Sequence, residues 1–201
     1  TIEPIAHIRP GNFTFGRLKV DDWEVKPVAS NAFEASKAGG APVLFQGGNT
    51  ISAATLIPRN DGLPLFAWAE RIEHKGRGGF HIAKADGTGD VRMLPFAIHS
   101  RDMAPSPDGR YLIVSTGSHR LSVYATDNPQ FPLLSFARVN GEWVAWSSEG
   151  YYAASPGGEK MFGWAVSNGP DEFSTFYPAE KFARHFRRPD LLAKAIELGS
   201  L

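Results

Sequence analysis

The chain has 201 residues, of which 42% are hydrophobic and 21% are charged, so it can bury a core and is not disordered. Its 21 basic and 21 acidic side chains cancel, which argues against a nucleic-acid partner. The absence of cysteine excludes disulfides, thiolate metal sites and a cysteine nucleophile, and no apolar run reaches the ~18 residues of a membrane span.

The first fifty residues predict short strands. Residues 12–20 and 23–28 can pair around the Asp21-Asp22 turn, and residues 43–46 form a further β-like run. The Gly- and Ala-rich stretch 36–42 predicts a loop.

Three turns with an acidic residue before glycine punctuate the rest of the chain. They lie at 58–62, 106–109 and 147–150, and their glycines are 47 and 41 residues apart. In such a turn glycine takes a positive φ and the acidic side chain accepts hydrogen bonds from nearby amides. Each turn is therefore expected to join two strands.

Further β-like runs follow each turn and suggest a repeated four-stranded unit. Four strands every ~40 to 50 residues is the period of a propeller blade, and the content of 21 Gly and 15 Pro suits short strands joined by tight turns. The alternative is an irregular β-sandwich, which also has short strands at regular spacing. The runs are 63–69, 80–84 and 91–98; 111–115, 121–126 and 131–139; and 151–154 and 161–166.

Two of these segments resemble known propeller families. Ser106-Pro107-Asp108-Gly109-Arg110 is similar to the first turn of WD40 blades, with Tyr124 where those blades usually have Trp. Asp86-Gly87-Thr88-Gly89-Asp90 is similar to the TolB type. We therefore expect an all-β fold, a partial β-propeller of about three to four WD40- or TolB-like blades with a short C-terminal helical segment.

This reading divides the chain into three parts. Residues 1–50 supply N-terminal strands of an incomplete blade, 51–170 supply propeller blades, and 171–201 form a helical exit segment. Closed propellers need about four to eight blades, so we expect bare apolar faces at the ends of the stack and missing blades from the same polypeptide or a partner chain.

Residues 141–192 have a more particular resemblance. Glu142-Trp143-Val144-Ala145-Trp146, the stretch 149–159 and Phe176-Tyr177-Pro178 are similar to the last blade and exit segment of bacterial proteins that join WD40-like repeats to a caspase-like peptidase domain. The resemblance implies a sensing or regulatory role beside such a peptidase, for which we take a cytoplasmic location as the expectation. The family's Cys and His dyad cannot lie here, since cysteine is absent, so the chain itself is not expected to be an enzyme.

The exit segment predicts two helices. Phe182 and Phe186 are four residues apart between Pro178 and Pro189, which indicates a short amphipathic helix. A second helix is expected over residues 190–198, ending at Gly199 and burying one apolar side. Its predicted buried residues are Leu191, Leu192, Ala195 and Ile196.

Candidate partner-binding residues fall in three groups, and each has a plainer alternative. The aromatic group is explained either by burial in a blade core or by a platform for a peptide or sugar. The two basic groups are either solvated surface or a docking site, one of them in a loop between the second and third strands of a blade. The groups are Trp146, Tyr151, Tyr152 and Trp164; Arg71, His74, Lys75 and Arg77; and Arg184, Arg187 and Arg188.

The sequence contains no motif typical of catalysis, metal binding or phosphate binding. The six histidines are scattered, no hydrolase or metal motif occurs, and Pro156-Gly157-Gly158 predicts a loop, since no helix start follows in the manner of a phosphate-binding loop. We expect no cofactor, no metal and a protein or peptide as the partner. The alternatives are a propeller glycoside hydrolase with carboxylates in the funnel and a TolB-like cell-envelope interaction protein.

Overall fold

A computed structural model describes residues 14–71, 79–93, 100–116 and 120–200, and these are built mainly of short antiparallel strands. The strands are β1 Thr14–Phe15, β2 Lys19–Val20, β3 Trp23–Ala29, β4 Ala32–Lys37, β5 Val43–Gln46, β6 Ile51–Ile57, β7 Leu65–Glu70, β8 Phe80–Lys84, β9 Arg92–Met93, β10 Ser100–Pro105, β11 Tyr111–Thr116, β12 Arg120–Ala125, β13 Leu134–Val139, β14 Glu142–Trp146, β15 Tyr152–Ala154, β16 Gly163–Val166 and β17 Thr175–Pro178.

These strands form three sheets and one separate hairpin, and apart from β1, which pairs with β6, neighbours within each sheet follow one another in sequence. Sheet I has the order β2-β3-β4-β5, sheet II β1-β6-β7-β8-β9, and sheet III β10-β11-β12-β13-β14-β15. The hairpin pairs β16 with β17. The predicted pairing around Asp21-Asp22 and the predicted strand at residues 43–46 are confirmed.

Sheet II lies between the other two sheets. One of its faces packs Ala54, Leu56 and Phe66 with residues of sheet I, and the opposite face packs Ala53 and Ala67 with residues of sheet III. Side chains alternate between the faces of a strand, so these two cores require strands that are apolar on both sides. β6 and β7 are accordingly buried almost throughout.

The outer face of sheet I carries charged side chains. Glu24 forms ion pairs with Lys19 at 2.9 Å and with Lys26 at 3.0 Å on this face, while Trp23 and Val25 point into the core. Charged side chains are solvated without cost here, whereas a stacked sheet would bury them. Leu44, paired with Glu34, is exposed on the same face, so this end of the stack is charged with an exposed apolar side chain among the charges, where a wholly apolar face was expected.

All three predicted acid-glycine turns join two adjacent strands. Gly62, Gly109 and Gly150 have φ values of 74°, 68° and 87°, as glycine turns require. Asp61 accepts a hydrogen bond from the amide of Leu63, and Asp108 accepts one from the amide of Arg110. The predicted positive φ is confirmed in all three turns and the predicted amide hydrogen bond in the first two, whereas Glu149 of the third turn accepts from the Ser148 hydroxyl.

The third turn does not open a new four-stranded sheet. It joins β14 to β15, and both strands extend sheet III beyond β13. The physical reason is the two-residue turn Asn140-Gly141, in which φ is 52° and 87°. Positive φ at both central residues is the geometry that folds one strand tightly back on its neighbour, so β14 pairs with β13.

The inner edge of sheet II carries a segment of the chain itself. β1 pairs parallel with β6, and Leu56 donates its amide hydrogen to the carbonyl of Arg17 at 2.6 Å. A β-carbon on Gly16 would lie 2.8 Å from Thr55 and 3.5 Å from the backbone of Met103 on sheet III. The segment 14–17 thus lies along the innermost strands, where a propeller funnel would otherwise open.

The C-terminal part covers the outer strands of sheet III. α1 Pro156–Glu159 follows β15, and after β17 come a 3-10 turn at Ala179–Phe182, α2 Ala183–Phe186 and α3 Pro189–Leu198. The predicted loop at Pro156-Gly157-Gly158 is wrong, because Ser155 caps a helical turn by accepting the amide hydrogen of Gly158. The predicted second helix is confirmed, with Leu192 and Ala195 buried and Gly199 at a φ of 76°.

Sheets that follow one another along the chain and stack face to face make this an all-β partial propeller with a short C-terminal helical segment. The helices of the described residues are all too short or too polar to cross a membrane.

Candidate binding groove

An apolar groove of about 460 Å³ lies on sheet III where it is widened by β14 and β15. Its floor comes from alternate residues of β13 and β14, which point to one face because pairing aligns them. Its wall is the segment that leads into β16. The lining residues are Ala137, Val139, Glu142, Trp143, Val144, Trp146, Gly150, Gly158, Met161, Phe162, Gly163 and Trp164.

Two of the predicted aromatic residues, Trp146 and Trp164, line this groove together. Trp164 also packs against the C-terminal segment, with ring-centre distances of 5.4 Å to Phe182 and 5.3 Å to Phe186. It therefore belongs both to the groove wall and to the aromatic cluster under α2. Trp164 is half-buried between the groove and this cluster.

Tyr152 is a core residue, which corrects its assignment to a partner-binding surface. It is fully buried, and its hydroxyl donates to the Glu159 carboxylate at 2.6 Å. Burial and the nearby Glu159 carboxylate raise the pKa of the Tyr152 hydroxyl. Tyr151 is half-buried, with its ring 6.3 Å from that of Phe186.

Two of the basic residues near the C-terminus form ion pairs that hold the exit segment in place, and a third is exposed to solvent. Arg187 lies 3.4 Å from Glu159, its backbone bridges to Tyr152, and Arg188 pairs with Asp190 at 2.6 Å. Arg184 is exposed. This cluster borders α2 and does not line the groove.

The second basic group lies mostly outside the described residues. Arg71 is exposed at the end of β7, while His74, Lys75 and Arg77 fall in the part of the chain that the structure does not describe. The loop does lie between the second and third strands of a meander, β7 and β8.

The one charged residue of the groove lining, Glu142, is held at one end of it. Its Oε2 atom accepts hydrogen bonds from the Ser155 hydroxyl and from the amides of Gly157 at 3.1 Å and Gly158 at 3.2 Å. The Ser155 hydrogen bond, followed by the two amides, lowers the pKa of Glu142 below its ordinary value. The groove thus combines apolar walls with a fixed negative charge.

A separate polar cluster at the base of the Arg71 loop was missed by sequence reasoning. Glu70 accepts hydrogen bonds from the amide and the side chain of Asn49, each at 3.2 Å, and lies 3.1 Å from His81 Nε2. The His81 ring stacks on Trp68 at 5.0 Å. This cluster ties the connection between sheets I and II to β7 and β8.

His81 gives the fold a pH dependence. Burial lowers the pKa of His81 below its ordinary value of 6.5, although the Glu70 charge acts in the opposite direction. The unfolded chain then takes up a proton more readily than the folded one, so stability is present above about pH 6.5 and falls as the pH drops below it. We expect the free energy of unfolding, measured by urea titration, to decrease from about pH 7.5 to about 5.5. The decrease should be smaller in His81→Gln, and an equal decrease in that variant would contradict this role for His81.

The described residues offer binding chemistry and no metal centre. Among them no three His, Asp or Glu side chains are close enough to hold a metal ion. What they bring together is an apolar groove with aromatic side chains in its wall. The fold and the groove therefore define a partial propeller with an apolar groove on sheet III.

Comparison with family models finds no match, and comparison with curated proteins finds none. Among solved structures, the chain is similar to the beta-propeller domain of Myceliophteria thermophila Cps50 (Swd1), with 12% identity and a TM-score of 0.43 over 77% of this chain and 54% of that one. The chain thus spans about half of that domain. The fold assignment rests on the sheets and cores described above.

Proposed function

We propose that this chain is a non-catalytic binding module whose groove receives an apolar segment of a partner protein or peptide. The observation that carries the proposal is the groove of about 460 Å³, whose lining includes Trp146 and Trp164. Tryptophan is the residue type most enriched among the contacts that dominate protein recognition.

The energetics favour an apolar occupant. Burying one Leu- or Phe-sized side chain contributes ~1.5 to 3 kcal/mol. A charged occupant without a partner would lose hydration that apolar walls cannot replace. The sheet that forms the floor is ordered by its own ladder, so little conformational entropy is lost in binding.

We further propose a regulatory place beside a caspase-like peptidase, in the cytoplasm. Support comes from the resemblance of residues 141–192 to the last blade and exit segment of such bacterial proteins. The groove wall supports it as well, since Trp164 contacts Phe182 and Phe186 of that segment. The peptidase and the remaining blades would come from the same polypeptide or a partner chain, with Arg71, Arg184, Arg187 and Arg188 available at the surface.

Binding in the groove is tested by introducing a charge at an exposed residue of its lining. Val139, 43% exposed, lines the groove, whereas Val28, 50% exposed, lies at the end of a strand in sheet I. We expect Val139→Asp to weaken binding of the neutral probe acetyl-Thr-Leu-Thr-Leu-Thr-Leu-amide at least ~tenfold by calorimetry, because an apolar contact becomes a charge. Val28→Asp should leave the affinity unchanged. Equal affinities for the two variants would place the binding site elsewhere.

The proposed regulatory role beside a caspase-like peptidase is tested on the native gene product. Its mass and the coding sequence around these 201 residues should reveal a peptidase domain with a Cys and His dyad, on the same polypeptide or in an adjacent gene. Without such a domain the regulatory assignment fails and the binding module stands.

A further inference from the structure

The hairpin that borders the groove has an open strand edge. β16 and β17 form a sheet of two strands, so within the described residues β16 has a strand neighbour on one side only. An unpaired strand edge presents a row of amide hydrogens and carbonyls that another extended chain can join.

The register shows which backbone groups face outward. Ala179 donates its amide hydrogen to the carbonyl of Phe162 at 3.1 Å, and the ladder continues from Gly163 paired with Pro178 to Val166 paired with Thr175. Hydrogen-bonded and non-hydrogen-bonded pairs alternate in an antiparallel ladder. The N–H and C=O groups of Ala165 therefore point away from β17.

The groove borders the first half of β16, Gly163 and Trp164, and no residue of β17. Its lining includes Met161, Phe162, Gly163 and Trp164, and none of the lining residues belongs to β17. Gly163 has the same outward-facing N–H and C=O as Ala165, because its pair with Pro178 is also a non-hydrogen-bonded one. An extended segment in the groove would thus reach the backbone of Gly163, and one that continues past Trp164 would reach that of Ala165, with alternate side chains directed onto sheet III.

The negative charge in the groove indicates which side chain the occupant would place there. Glu142 is the single charged residue of the lining, and the three hydrogen bonds recorded for its carboxylate within the described chain all use Oε2. The other oxygen, Oε1, keeps its capacity to accept a hydrogen bond from a basic side chain.

We propose that the groove captures its partner by β-strand addition: an extended segment pairs with β16 and presents apolar side chains at alternate positions, with a Lys or Arg at Glu142. This inference rests on the proposed function and adds the conformation and chemistry of the partner.

The hydrogen-bonding edge is tested at Ala165. Ala165→Pro removes an outward-facing amide hydrogen without taking one from the β17 ladder, and Ala165→Val keeps that amide at the same site. With the probe acetyl-Thr-Leu-Thr-Leu-Thr-Lys-amide, we expect about a tenfold loss of affinity for the proline variant and about a twofold change at most for the valine variant. Equal affinities would overturn strand addition.

A second measurement leaves the protein unchanged. Alternate amides of an added strand face β16 and the others face away, so two probes N-methylated on odd or on even residues should differ. One should lose binding and the other should retain it. Equal effects of the two methylation patterns would overturn strand addition even if Ala165→Pro failed to fold.

The charge is tested by Glu142→Gln, which keeps the shape and the acceptor oxygen. The wild-type chain should bind the Lys probe several-fold more tightly than the same probe with Gln in its place, and this preference should vanish in the variant. No preference in the wild type would overturn the basic partner. Failure of every probe, including the neutral Leu peptide, to bind the wild-type chain would instead overturn the proposed function.

Discussion

Gly109→Ala is expected to lower the free energy of unfolding by about 2 to 4 kcal/mol. Gly109 has a φ of 68°, and a β-carbon there would lie 1.7 Å from the carbonyl oxygen of Pro58. The substitution therefore adds an overlap with the backbone of the neighbouring turn to the strain of a left-handed residue. Urea titration followed by circular dichroism measures the loss.

Gly62 is the matched control for this prediction. It has a similar φ of 74°, but a β-carbon there meets no atom within 4 Å. Gly62→Ala should cost only the left-handed strain, about 1 kcal/mol. Equal losses at the two positions would show that the first two acid-glycine turns do not touch, which would contradict the stacking of sheets II and III.

Phe66→Ala is expected to cost about 3 to 5 kcal/mol. Its fully buried ring lies 5.6 Å from Phe33 and 5.1 Å from Phe45 of sheet I and stacks on Trp68 at 5.2 Å. The resulting cavity would open between sheets I and II. Urea titration should show the loss, and hydrogen exchange should accelerate in β3 and β4 more than in β11 and β12.

The matched control is the same substitution at an exposed site. Phe173 is 98% exposed, so Phe173→Ala should change the free energy of unfolding by no more than ~0.5 kcal/mol. If Phe66→Ala accelerated exchange equally in sheets I and III, the separate packing of sheet I on sheet II would be contradicted.

The groove exists because sheet III is wider than a four-stranded blade. Asn140-Gly141 turns β14 back on β13, and these two strands provide the floor beside which the segment leading into β16 forms the wall. An Asn-Gly pair between two β-like runs is the strongest local sign of a two-residue hairpin. The sequence contains this Asn-Gly pair, but the prediction of repeated four-stranded units did not take it into account.

Other differences between prediction and structure have similar causes. The acid-glycine turns were predictable because a turn of four residues is decided by its own φ preferences and short-range hydrogen bonds. The helical turn at residues 156–159 carries local signs of the same kind, an N-cap Ser155 followed by Pro156 at the first helical position, and the loop prediction did not use them. Tyr152 looked like its aromatic neighbours, and only its pairing opposite Trp146 and under Phe162 places it in the core.

The amino-acid sequence by itself determined strands such as β3, β8, β11 and β12, the glycine turns, the helix ending at Gly199 and hence the all-β class, because these depend on interactions within a few residues. It did not indicate β6, β10 or β17. The tertiary structure alone decided which strands share a sheet, that Trp146 and Trp164 meet in one groove, and that Glu142 is the charged residue of its lining. Those features depend on packing between residues far apart in the chain, where many pairings satisfy the same local pattern.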